Sequence, residues 1–109
     1  MKKIKYNYIF VYYMQDKITP EKLEKYFSVT QKALKKAKIS CPKHTHLEKA
    51  AHDFLDMAQR YFDDAKHFFE KEDYVTAFAA LNYAHGWLDA GARLGLFDVD
   101  HDNTLFTVD

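Results

Sequence analysis

Apolar residues recur along most of this chain at steps of three and four, the spacing that lines one face of an α-helix. Leu23, Tyr26, Phe27, Thr30, Ala33, Leu34 and Ala37 make the first such face, and Lys22, Lys25, Lys32, Lys35, Lys36 and Lys38 take much of the remainder. Thr19 is suited to cap the opening amides and Pro20 to sit in the first turn, so a helix is predicted from here. Ser40, Cys41 and Pro42 end it, because a proline pushes the residue before it out of helical angles. Thr45 and Glu48 have capping-box spacing and precede the most regular run, Leu47, Ala51, Phe54, Ala58, Tyr61, Ala65 and Phe68, widened by Leu55, Phe62 and Phe69. That second helix reaches about Lys71, a length of roughly 40 Å.

Asp73 can cap a third helix from Tyr74 to about Leu96, and the turn before it is short enough to force an antiparallel return. This stretch is apolar nearly all round, so it is expected to be the central, most buried helix. Gly86, Gly91 and Gly95 cost helix propensity and are expected to mark close helix approaches. An acidic turn, Asp98 to Asn103, and a β-prone end, Leu105 to Val108, follow. The pattern therefore predicts an all-α fold, a small antiparallel bundle of three main helices with a short β-prone C-terminal tail.

A length of 109 residues suits one domain. Residues 14–109 are expected to form it, with Met14 as the functional start and residues 1–13, a lysine- and tyrosine-rich β-prone run, as an extension outside the core. That run is too short to cross a bilayer, and Gln15 and Asp16 stand where a cleavage site needs small residues, so neither membrane nor export is expected. A single cysteine, Cys41, fits a cytoplasmic protein. The net charge is zero, yet residues 1–50 hold 12 lysines against 4 acids and residues 51–109 the reverse, 4 basic residues against 12 acids. The two halves are expected to neutralise each other inside the domain rather than to bind nucleic acid, since the basic half has no arginine.

One narrow polar stripe interrupts the third helix: Asn82, His85, Asp89 and Arg93 fall within about 80° of one another. A histidine one turn from a carboxylate, and a carboxylate one turn from an arginine, fit a small ligand-binding site, an acid-base pair at His85 and Asp89, or a structural network between helices. These four are the candidate ligand-binding residues. Cys41, His44 and His46 offer three metal ligands where a structural zinc site takes four, so no metal or cofactor is expected. His52, Asp56, Asp63 and His67 lie on the outer face of the second helix, and the paired Glu-x-x-His motifs of a di-iron bundle are absent. Arg60 and His67 have a spacing that resembles the catalytic motif of HEPN ribonucleases, although Tyr61 stands where that motif usually has a polar residue. Asp98, Asp100, Asp102 and Asp109 with Leu105 match part of a calcium loop, but Asn103 replaces its central glycine.

The run Asp73-Tyr74-Val75, then Ala77, then Leu81 to Leu96 with His85-Gly86-Trp87 and Asp89-Ala90-Gly91 at its centre, resembles the signature of an archaeal group of short proteins, domain of unknown function family 357. The resemblance implies a helical bundle, an archaeal cytoplasmic source and no established activity. With no nucleophile, phosphate loop or complete metal set, the expected function is a non-catalytic protein- or ligand-binding module. Its expected partner is a second copy or another protein, or else a small molecule. A HEPN-like ribonuclease or other small acid-base enzyme is the alternative.

Overall fold

The computed structural model describes residues 16–108. The expectation for residues 1–13 lies outside the described residues. Three helices make the body: α1 (Pro20–Lys36), α2 (His46–Glu70) and α3 (Tyr74–Leu94). Two short strands, β1 (Lys38–Ile39) and β2 (Phe97–Asp98), pair antiparallel with Ile39 opposite Phe97, and Ser40 N–H donates to the Leu96 carbonyl. The β pairing thus falls at the end of α3 rather than at residues 105–108.

Each helix starts where its capping residue places it. The Thr19 hydroxyl accepts from Lys22 N–H with Pro20 next in line, and the Asp73 carboxylate accepts from Thr76 N–H. Thr45 accepts from Glu48 N–H, while the Glu48 carboxylate reaches back to His44 N–H, one residue before the position a capping box uses. Gly95, at φ 84°, stops α3 two residues early in a left-handed cap, and Leu96 N–H folds back to the Gly91 carbonyl.

Both α1 and α2 pack on α3, and the core divides into two clusters. At one end Leu23 of α1 meets Phe62 and Ala65 of α2 and Ala77, Leu81 and Ala84 of α3. At the other, Ala33, Ala51, Ala58 and Leu88 meet Leu96, Phe97, Val99 and Phe106, all contributed by the chain beyond α3. That segment is therefore part of the core, and Phe106 is only 3% exposed.

The glycines depart from the expected close helix approach. Gly91 faces the ring of Phe97, which a Cβ would overlap, so the close approach is to a side chain of β2. Gly86 is exposed, with open space around a built Cβ. Charge neutralisation between the halves is carried at one described ion pair, Lys36 Nζ to Asp102 at 3.5 Å.

Gly86→Ala and Gly91→Ala carry the same propensity gain, about 0.5–1 kcal/mol. Chemical denaturation should show Gly86→Ala stabilised by about that amount and Gly91→Ala destabilised by about 1–2 kcal/mol, because overpacking a closed core outweighs the gain. Equal effects at the two sites would contradict the packing of Phe97.

Candidate functional site

The polar stripe of α3 does not face a void. His85, Asp89 and Arg93 meet the C-terminal segment, which returns across α3 beside α1. His85 and Asp89 are half-buried, their side chains 21% and 26% exposed. His85 Nε2 lies 2.7 Å from the Leu105 carbonyl, which can only accept, so Nε2 carries a proton. Its Nδ1 lies 3.0 Å from the Thr30 hydroxyl of α1, which donates to it when the ring is neutral. The imidazole thus ties three parts of the chain together.

Asp89 holds Thr107 with both oxygens. Oδ1 accepts from Thr107 N–H at 2.9 Å and Oδ2 from the Thr107 hydroxyl at 2.6 Å. Arg93 Nη1 donates to the Thr107 carbonyl at 3.0 Å. Between these anchors the Phe106 ring enters the core beside the His85 ring, with centroids 6.3 Å apart. Asn82, the fourth member of the stripe, is exposed one turn before His85 and does not line the cleft described below. His85 and Asp89 approach at 3.9 Å, too long for a hydrogen bond. The arrangement is a clasp around residues 105–107 of the same chain. A shallow cleft of about 410 Å³ runs along its open edge, lined by Val29, His85, Asp89, Arg93 and residues 103–108.

The segment that enters the clasp is shaped by Asp102. Its Oδ1 accepts from the Thr104 hydroxyl and from the Thr104 and Leu105 amides, while Oδ2 faces Lys36. The Thr104 hydroxyl bond, above all, holds the Asp102 carboxyl below the ordinary aspartate range, with the backbone amides and Lys36 adding to it against a smaller effect of burial. The contribution of a depressed carboxyl is full above the ordinary aspartate pKa, about 3.9, and is lost as pH falls through the folded value. Of the carboxylates in the calcium-loop pattern, Asp102 is engaged in this turn, Asp98 Oδ1 accepts from the Asp100 amide, and Asp109 lies outside the described residues.

The remaining candidates are placed apart from the clasp. Arg60 and His67 lie two turns apart on the outer face of α2, Arg60 paired to Asp56 at 2.9 Å and His67 against the Phe68 ring. His52, Asp56 and Asp63 are exposed on the same helix. Cys41 is half-buried against the core while His44 and His46 are exposed, and no group of three or more ligating side chains comes together among the described residues. No described helix is long and apolar enough to cross a membrane.

Sequence reasoning missed Thr30, Leu105, Phe106 and Thr107 as partners of the stripe. A hydroxyl in the otherwise apolar face of α1 was the one local signal of Thr30, while periodicity carries no signal for a non-helical segment that docks through its backbone.

His85→Ala removes both imidazole bonds and leaves the Leu105 carbonyl without its donor. Denaturation should show a loss of about 3 kcal/mol, with Phe106 released from the core. A loss under about 1 kcal/mol would show that the clasp does not hold the fold.

In comparisons with known proteins, a family model described as a protein of unknown function, DUF357, matches residues 25–97, which include Thr30, His85, Asp89 and Arg93. No curated protein and no solved structure matches the chain. The chain belongs to the DUF357 family of proteins of unknown function.

Proposed function

We propose that this chain is a cytoplasmic, non-catalytic protein-interaction module that associates through the outer face of α3, its first partner being a second copy of itself. The observation that carries the reading is the exposed apolar face of that helix: Val75 is 70% exposed, Tyr83 50% and Leu94 64%. Ala79, Gly86 and Ala90 are exposed between them, and on a helical wheel all six fall on one side, opposite buried Ala77, Leu81, Ala84 and Leu88. A soluble monomer seldom leaves an apolar face running the length of a helix.

The composition of the face favours a like partner. None of those six positions is charged, and Arg93, exposed at the Leu94 end of the same arc, is the one charge such a contact has to leave at its margin. Asn82 lies on the same side and supplies an amide that can pair across the contact. Gly86, at the middle, lets a neighbouring backbone come close.

Gly86 also separates association from folding, because a side chain there meets nothing among the described residues. Sedimentation at tens of micromolar should show a dimer for the native sequence and a monomer for Gly86→Glu, with the variant still unfolding cooperatively and its melting temperature no longer rising with protein concentration. A native monomer across that range, or a variant that still dimerises, would contradict the proposal.

A further inference from the structure

We infer that the clasp on α1 and α3 is a peptide-binding site that also accepts a C-terminal-type hook from another protein chain, the chain's own residues 102–108 being its occupant in cis. The inference rests on the reading of the chain as an interaction module, but it concerns a different surface from the outer face of α3.

The first argument is that the hook is a self-contained unit. Asp102 organises its turn through Thr104 and Leu105, and Phe106 N–H closes onto the Asp102 carbonyl, all within residues 102–106. What the clasp then reads is compact: the Leu105 carbonyl at His85, the Phe106 ring in the core, and the amide, hydroxyl and carbonyl of Thr107 at Asp89 and Arg93. A separate peptide with an aspartate-capped turn followed by Leu-Phe-Thr presents the same groups, and serine replaces the threonine without loss of the hydroxyl.

The second argument is the connection. Asp100 and His101, which join the hook to β2, both adopt left-handed backbone angles, at φ 56° and 54°. Asp and His adopt that region more readily than most side chains but still at some cost, and that cost sits in the connection rather than in the hook, so a hook without the connection does not carry it. The third is the division of the chain. Thr30, His85, Asp89 and Arg93 all lie within the span that matches the family, and residues 98–108 lie beyond it, so the groups that grip and the segment that is gripped fall on opposite sides of that boundary. The cleft along the open edge of the clasp gives an incoming segment access to Asp89 and Arg93.

The partner is therefore a protein segment of the form Asp-x-Thr-Leu-Phe-Thr or Ser, in competition with the chain's own tail. The test uses the full chain and a fluorescent peptide of residues 101–108, followed by anisotropy. Phe106→Ala weakens the cis occupant and should bind the peptide at least about tenfold more tightly than the native chain. Adding Asp89→Ala should remove that gain. Thr107→Val keeps the chain's own aromatic anchor while removing its hydroxyl bond, so it should show a gain of several-fold even if Phe106→Ala does not fold. No gain in a folded variant, or a gain that survives Asp89→Ala, overturns the inference. Amide shifts in the native chain should move at Thr30, His85, Asp89 and Arg93 at high peptide concentration. Shifts confined to Val75, Ala79, Tyr83 and Leu94 would overturn the clasp as the site while leaving the outer face of α3 as an interaction surface.

Discussion

A histidine and a carboxylate half-buried in an otherwise apolar helix call for hydrogen-bond partners, because polar groups shielded from water and left unpaired are costly, and an exposed guanidinium one turn on adds a donor beside them. In this protein the partners are Leu105 and Thr107, together with Thr30 of α1. His85, Asp89 and Arg93 draw residues 105–107 back over α3, and that docking places Phe106 in the same cluster as Leu88, Leu96 and Val99. The lower core is thus completed by a segment with no regular secondary structure. The clasp explains why a three-helix chain with so many apolar residues needs its non-helical end.

The same requirement separates the two sides of α3. Its buried side takes α1, α2 and the hook, whereas its outer side, from Val75 to Leu94, keeps apolar residues exposed among the described residues, with Tyr83 alone of them set edge-on against Tyr61 of α2. The helix read as apolar nearly all round is the one both other helices pack on, and it still keeps one face open. Helix propensity at Gly86 is given up where nothing in the fold requires it, in contrast to Gly91, where Phe97 does. The proposed association through this face would account for that asymmetry.

The helices were legible because each has a local signature. Thr19-Pro20, Thr45 with Glu48, and Asp73 act as caps where the spacing placed them, and the apolar steps of four and three define the buried faces. Boundaries failed where a special backbone conformation decided them, as at Gly95. The polar stripe was visible as a set of residues, but not its occupant: a carboxylate that binds a main-chain amide leaves no pattern in the sequence of its partner. Asn82 belonged to the stripe by angle alone, and its extra turn toward solvent separates it from the clasp.

Hydrogen exchange at the Thr107 amide tests this account most directly, since that N–H, near the end of the chain, is protected only if Asp89 holds it. The clasp predicts exchange at least about 100-fold slower than in an unstructured peptide, in step with the amides that open together with the lower core. Exchange at the unstructured rate, with α3 still protected, would contradict the claim that these three side chains build the C-terminal segment into the fold.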